Sequence, residues 1–600
     1  MSPKEEYLKR EKKYNKRLKK QERRVNLLSN IRFIIFFLTL GITAYLIFTQ
    51  ELISSFGVFA IGLFVFIYMV VKHERLKKEK DITANLVDIN SRSIARIEGK
   101  WTEFEDDGKE YINSEHPYAI DLDLFGPGSL FQWINVTNTF SGRQSLKNIL
   151  MEPLKSITQI IKRQRGIEEL AEKLDWRQNF QAMGRIISRK AKDPAPLIEW
   201  ANKRNKFYQQ GWFKVLIRIL PVVTITFIVL AFLVSFIPFW LPLGLITLQF
   251  IINYYGKKEV NQTFNTTKGY KGVIERYQYL LMEIEEEVFE SKYLKDLQQR
   301  LFNERGILAS NQIEKLKKLT EMMDLRYNAG FYFIINTLFF WDYQQMVRLE
   351  KWKEESGQNL AHWLQTIASF EELSSLAIIC FNNRDWTRPS FKKKDYHFEA
   401  SDLGHPLIYR GKRVCNDLSF RMSGNILIIT GSNMSGKSTL LRTVGINLVL
   451  AYTGAPVCAD QFNCSIMDIY SSMRVNDNLK QSISSFYAEL LRIKMIVDAS
   501  RKNKPMLFLI DEIFKGTNAR DRHIGAERVI KKLSEQGVIG LVSTHDLELG
   551  ELADEKGLKI DNYHFEESYE DEEMKFSYKL QPGVSTSTNA LFLMKMVGID

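Results

Sequence analysis

The chain has 600 residues, 45% hydrophobic and 26% charged, with a formal net charge of +12. That length at ordinary apolar content predicts about three or four domains of roughly 150 residues each and a large core. Four cysteines (Cys380, Cys415, Cys458 and Cys464) without a C-x-x-C pair exclude a disulfide scaffold, disfavour structural zinc and point to a reducing compartment.

In chain order, residues 1–30 form a basic arm, "KREKKYNKRLKKQERR", that holds much of the positive excess. The total charge therefore does not discriminate nucleic acid from an anionic membrane surface. Residues 33–50 and 52–71 carry no charged side chain and are separated only by Glu51. Each is near the ~20 residues needed to cross a hydrocarbon core, so 31–72 reads as a first transmembrane hairpin. Residues 73–127 read as a small mixed segment with turn signals "EDDGKE" and "FGPGS". Helical spacing dominates 128–210 and 257–391, for example Tyr277, Leu280, Leu281, Ile284 and Val288. These are two parts of one all-helical core, interrupted by a second hairpin within 215–256, whose charge-free run breaks at "IPFWLP" (Pro238, Pro242). A pair of buried core helices is the bland alternative, but a helix in a water-soluble fold normally shows a polar face and these runs show none. Lys and Arg flank the outer ends of both hairpins, which by the positive-inside rule predicts a multi-pass protein of the inner, cytoplasmic membrane with its non-membrane domains in the cytoplasm.

Residues 392–600 change pattern. Apolar runs "NILIIT", "MLFLID" and "VIGLVST" alternate with helical stretches, as in a parallel α/β sheet. After the first run, Gly431, Ser432, Asn433, Met434, Ser435, Gly436, Lys437 and Ser438 fit G-x-x-x-x-G-K-[ST] in full, with Thr439 opening the following helix. Such a loop presents backbone N–H groups and a helix amino terminus to phosphate oxygens, adds the Lys437 charge and offers the Ser438 hydroxyl to Mg²⁺. ATP and Mg²⁺ are thus the expected cofactors. Asp511, at the end of the second run, suits the Mg²⁺ shell, and Glu512 suits activation of the attacking water. His545 in "STHD" follows the third run, which parallel order returns to the same edge, where it is placed to sense the γ-phosphate.

Taken together, "TGSNMSGKST", "SSFYAEL", "DEIFKGTNARD", "STHD" and "YKLQPGVSTSTNA" resemble, in their order, the nucleotide motifs of the MutS mismatch-repair ATPases. Upstream, "SLFQWINVTNTFSGRQSLKNILMEPL" and "WLQTIASFEELSSLAIICFNNRDWTRPSF" are similar to the start and end of that family's helical core. The resemblance implies an α/β ABC-type P-loop ATPase domain, parallel-rich with flanking helices. It is preceded by an all-α lever, here joined by four transmembrane helices in two hairpins. It further implies a homodimer through the ATPase domains, with Ser484 and Ser485 in a signature loop reaching the partner's γ-phosphate and Thr517 and Asn518 at the dimer seam. Ser432 and Ser435 stand where the family has proline and glycine, and Phe514 and Lys515 where glycine and arginine are commoner.

The family's mismatch reader, with its wedge phenylalanine and nearby glutamate, has no expected place, since only 73–127 lies ahead of the core outside the membrane. The "FNE" at Phe302 and the "FEE" at Phe370 have its letters but fall in helical context. The expected function is a membrane-anchored MutS-like ATPase whose lever binds DNA by backbone or structure rather than by mispair. The alternative is an ATP-driven switch acting on a protein or membrane partner without DNA. Transport is disfavoured, because no charge within the apolar runs marks a substrate path.

Overall fold

An apolar run without a polar face must either be buried by other protein or face something other than water, and both outcomes occur here. The computed structural model describes all residues except 187–191, 235, 303–305, 394–395, 421, 475–484, 503, 516, 571–572 and 586–600, with backbone alone for 485, 568–570 and 573–575. The chain forms two units.

The first unit, Met1–Ile94, Val136–Ser145 and Lys173–Glu372, is helical. It begins with two 46-residue helices, Pro3–Phe48 and Leu52–Ile97. Ser2 and Glu5 close a capping box at the start of the first, which satisfies two otherwise orphaned N–H groups. The basic arm is the first half of that helix. Its buried residues Tyr7, Tyr14, Gln21, Val25 and Leu28 recur at sevens with one intervening four, a single seam under a charged surface. Tyr14 meets Leu86, Ile89 and Ala182 there, and Arg10 bonds both Glu6 and Asp175.

Among the described residues, four helical stretches are long and apolar enough to cross a membrane by length and composition. Three of them, Pro3–Phe48, Leu52–Ile97 and Gly211–Leu233, coincide with the runs predicted to span and leave large apolar side chains exposed, Phe33 at 67% and Phe64 at 75% among them. The fourth, Trp341–Asn382, has 83% of its apolar window buried and is core. The remaining predicted span is the beginning of the 47-residue helix Trp240–Glu286. Pro242 lies in its first turn, where the missing N–H costs nothing, so the chain reverses before Trp240 rather than at that proline.

The interior of this unit is aromatic. Trp176 stacks on Phe180 at 5.0 Å and meets Phe289 edge-on at 5.4 Å, and Phe289 lies 5.2 Å from Phe370. Phe370 of the "FEE" triplet is thus fully buried. Phe302 of "FNE" differs from the expected helical setting: it forms an isolated bridge to Leu308 beyond the helix Lys292–Gln299 and is 42% exposed.

The second unit comprises Ala95–Asn135, Leu146–Glu172 and Leu373–Asp600. Its strands are β1 (Ser390–Phe391), β2 (Phe398–Leu403), β3 (Asn416–Phe420), β4 (Asn425–Thr430), β5 (Gln461–Cys464), β6 (Asp468–Ser472), β7 (Met506–Asp511), β8 (Ile539–Ser543), β9 (Lys559–Glu570) and β10 (Glu573–Pro582). They make a four-stranded sheet, β1-β5-β2-β3, and a six-stranded sheet, β10-β9-β4-β8-β7-β6. In the larger sheet β9, β4, β8, β7 and β6 run parallel and β10 is antiparallel. Every residue of β4, β7 and β8 is buried, as expected of parallel strands covered on both faces. These mixed sheets with flanking helices fit a MutS-like ATPase domain.

The grouping differs from the predicted segments. Residues 73–97 continue the second long helix instead of forming a small module, and 95–135 join the ATPase-bearing unit. Side chains far away in sequence hold them there. Asp121 accepts from Ser471 Oγ at 2.7 Å and from the Arg474 N–H at 2.9 Å, and Arg492 approaches it at 3.4 Å. Asp123 bonds Arg442 at 3.1 Å and also Arg474. Gly445, without a Cβ, lets Leu122 settle against the helix Lys437–Thr453.

In the first unit the buried carboxylate of Glu371 accepts from the N–H of Asn138 at 2.7 Å, from the N–H of Thr139 at 3.2 Å and from the Thr139 hydroxyl. Glu371→Ala strands these donors and is expected to destabilise the protein by about 3 kcal/mol. Glu371→Gln, which keeps an acceptor, should recover part of that loss. Thermal unfolding midpoints of the two variants in detergent check the ordering.

Candidate nucleotide site

The parallel pairing of β4 with β8 and of β8 with β7 ends all three strands at one edge, where their following residues converge. Residues 431–436 leave β4 and turn into the helix Lys437–Thr453. Gly431 and Gly436 take φ of 142° and 107°, open to glycine and strained for other residues. A side chain at Gly436 would also press on the Tyr578 ring, 3.2 Å away. Met434 adopts φ 68° with its side chain 86% exposed.

Lys437 Nζ donates to the carbonyls of Gly431 and Ser432, each at 2.7 Å. Burial lowers its pKa from the ordinary lysine value, while Glu512 and Asp511 oppose that shift. Ser438 Oγ donates to Asp511 Oδ2 at 2.8 Å, and Ser543, the last residue of β8, donates to Oδ1 of the same carboxylate. Ser438 and Asp511 therefore present hard oxygens side by side, a donor set that fits Mg²⁺. The Ser432 N–H bonds Glu567, Asn433 lines the cavity beside the loop, Ser435 is buried and Thr439 is exposed in the first turn of the helix, its carbonyl accepting from Thr443.

Glu512 follows Asp511 at φ 57°, its N–H bonded to the Ser543 carbonyl at 3.0 Å. Its Oε1 lies 2.8 Å from His545 Nε2, and Lys515 Nζ lies 3.5 Å from Oε2. The hydrogen bond from His545, with help from the lysine charges, pulls the Glu512 pKa down to about 2. Glu512 is thus a carboxylate at any working pH. Phe514 also takes a left-handed φ, 62°, and this turn is held by the buried Glu489, which accepts from the N–H groups of Phe514 and Lys515.

The structure brings Gly431 to Thr439, Asp511, Glu512 and His545 to one edge. Asn518 caps the helix Ala519–Glu535 by accepting from the Asp521 N–H, and Thr517 precedes it half-buried. Ser485 opens the helix Ser485–Ser500. Ser484 lies outside the described residues.

Two residues inside the quoted motifs have roles that the motifs did not assign: Ser543 of "STHD" holds Asp511 across the sheet, and Glu489 of "SSFYAEL" holds the 514–515 turn. A cavity of about 540 Å³ beside the loop is also lined by Leu403, His405, Ile408, Val414, Phe565 and Tyr578. The "LGHPLI" segment supplies His405 and Ile408 and could have signalled them. Burial holds the His405 pKa down to about 4, so its ring is neutral.

A parallel sheet in which β4 feeds a glycine loop and β7, beyond the intervening β8, ends in a carboxylate pair fits the P-loop nucleotide-binding class. The profile of MutS domain V matches residues 427–600. A DNA mismatch repair protein MutS from Aquifex pyrophilus is 25% identical over 603 residues, covering 92% of this chain and 67% of that protein. Those of Persephonella marina and Streptococcus mutans are 28% and 26% identical, each over 43% of this chain and 30% of their own length. The chain is thus similar to MutS proteins over most of its length, with its residues 427–600 matching MutS domain V.

Glu489→Ala should leave the two N–H groups of the 514–515 turn without their acceptor and destabilise the protein by about 2 kcal/mol. Glu489→Gln should be milder. Denaturation midpoints of both variants are the measurement.

Proposed function

We propose that the protein is a membrane-anchored ATPase of the MutS type, which binds and hydrolyses ATP at a dimer interface to switch a helical lever that binds DNA by backbone or structure rather than by mispair. The observation that carries this reading is the convergence of Lys437, the Ser438–Asp511 pair and the Glu512–His545 pair on one sheet edge. Lys437 and the loop N–H groups hold the phosphates, and Ser438 with Asp511 holds Mg²⁺. The metal, when bound, neutralises phosphate charge. Glu512, kept ionised and oriented by His545, accepts a hydrogen bond from the attacking water and positions it. In the dimer, Ser484 and Ser485 of one subunit complete the partner's site, with Thr517 and Asn518 at the seam.

Membrane anchoring is supported by the exposed apolar lengths of Pro3–Phe48, Leu52–Ile97 and Gly211–Leu233, with basic residues at their outer ends. The multi-pass chain is assigned to the cytoplasmic membrane, with its non-membrane segments in the cytoplasm. Reading of mispairs is disfavoured by the fate of the "FEE" triplet: Phe370 is core and Glu371 is consumed by buried hydrogen bonds. Neither is available as a wedge.

Glu512→Gln should retain ATP binding and slow hydrolysis by about 100-fold or more, whereas Lys437→Ala should weaken binding itself. A Glu512→Gln enzyme that turns over at the wild-type rate would remove Glu512 from the mechanism.

DNA should stimulate the ATPase with an affinity that falls steeply as salt rises, since phosphate neutralisation releases counterions. Affinity for a G·T duplex should lie within about threefold of the matched duplex, under roughly 1 kcal/mol. A filter-binding titration at several salt concentrations distinguishes the cases. Absence of any DNA response would favour a switch acting on a protein or membrane partner, and a strong mispair preference would restore mismatch recognition.

A further inference from the structure

A helix in the first unit, Ala329–Phe339, belongs to none of the predicted spans. From Tyr327 to Trp341 the sequence "YNAGFYFIINTLFFW" has no charged side chain. At 11 residues the helix is about 16 Å long, roughly half of a hydrocarbon core. It nevertheless exposes Phe331 at 52%, Phe333 at 57%, Ile334 at 55% and Phe339 at 40%. It lies against the helices Gly211–Leu233 and Trp240–Glu286, with Phe333 6.2 Å from Phe250. Its outward face therefore continues the apolar surface of those two helices.

Contacts along Trp240–Glu286 fix its depth. The apolar stretch of that helix ends at Tyr254 and Tyr255, followed by Lys257 and Lys258, the usual order of an aromatic belt and a cationic headgroup layer. Arg326, ahead of the short helix, bonds Asn261 at 2.9 Å, on the polar side of those lysines. The far end bonds Asn253 and Gln249 on the apolar side. Measured from Lys257 at the helical rise, those two levels are about 6 and 12 Å toward the hydrocarbon.

The carboxyl end of the short helix is finished as a site without water requires. Of its last four carbonyls, that of Asn336 accepts from Asn253 Nδ2 at 2.9 Å, that of Leu338 from Gln249 Nε2 at 3.4 Å and that of Phe339 from Gln344 Nε2 at 2.8 Å. In water such carbonyls are solvated at no cost; in hydrocarbon each unsatisfied one costs several kcal/mol. The Asn336 carbonyl also accepts from the Phe340 N–H at 3.1 Å, so side-chain amides serve Leu338 and Phe339 and add a second bond at Asn336, beneath four exposed apolar side chains, as a bilayer favours.

We propose that Ala329–Phe339 is an oblique, half-inserted membrane helix, entering and leaving from the cytoplasmic side, with Phe331, Phe333, Ile334 and Phe339 against phospholipid acyl chains. The proposal rests on the reading of Gly211–Leu233 and the start of Trp240–Glu286 as membrane spans. It makes the second hairpin's grip on the bilayer a three-helix surface, beside the first hairpin of the same unit.

Photocrosslinking of the full-length protein in phosphatidylcholine–phosphatidylglycerol vesicles tests it. Benzoylphenylalanine is placed singly at Phe333, at Phe331 as a second position on the same helix, at Phe64 of the first hairpin, and at the exposed Tyr409 as a water-facing control. Phospholipid adducts at Phe333 or Phe331 comparable with those at Phe64, and none above background at Tyr409, are expected. Adducts at Phe64 but at neither short-helix position would overturn the inference and leave the spans standing. A protein–protein adduct at Phe333 would equally overturn it, by assigning the face to a second copy. Absence of lipid adducts at Phe64 as well would remove the membrane reading and the inference together.

Discussion

Parallel pairing of β4, β8 and β7 is the constraint on which the nucleotide site depends. Strands that run in the same direction end at the same edge, so residues about 75 and 110 positions apart in the chain emerge side by side. The sheet does more than gather them. Ser543, in register with Asp511 across the β7–β8 ladder, supplies the hydroxyl that fixes the carboxylate whose other oxygen receives Ser438. The registers of β4 on β8 and of β8 on β7 thus together set the distance between the phosphate loop and the acidic pair. The site inherits the rigidity of a sheet whose central strands are buried on both faces.

The parts of this site that were legible in the sequence are those whose chemistry is local. A glycine loop between a strand and a helix declares itself because the φ values at Gly431 and Gly436 are strained for other residues. The acidic pair declares itself by ending an apolar run. Glu489 and Ser543 fall inside the quoted motifs, but their roles were not legible, because each acts by pairing with residues remote in sequence. The same reason explains the misplaced segment 95–135: Asp121 and Asp123 look like ordinary surface acids until Arg442, Arg474 and Arg492 are brought beside them.

Hydropathy was informative about length and silent about surroundings. Trp341–Asn382 and Gly211–Leu233 both satisfy the composition of a span, yet the first is 83% buried and the second 22%. The difference lies in the side chains packed around each stretch, such as Trp176 and Phe289 against Phe370. The basic arm failed in the opposite sense. Its lysines and arginines masked a seam at Tyr7, Tyr14, Gln21 and Leu28, so that a segment read only for its charge turns out to be a packed helix.

Asp123 sits between two guanidinium groups, one on the helix that follows the phosphate loop and one just beyond β6. One anion shared by two cations is a three-body arrangement: each arginine is attracted to the carboxylate and repelled by the other. Loss of either arginine would leave a simple pair, whereas loss of the aspartate would turn attraction into mutual repulsion. The energetic weight of this junction therefore falls unequally on its members. Arg442 and Arg474 are coupled to each other through Asp123, to which each is hydrogen-bonded, so displacement of the loop's helix would register at residue 474 as a change in electrostatic field before any backbone contact between them altered.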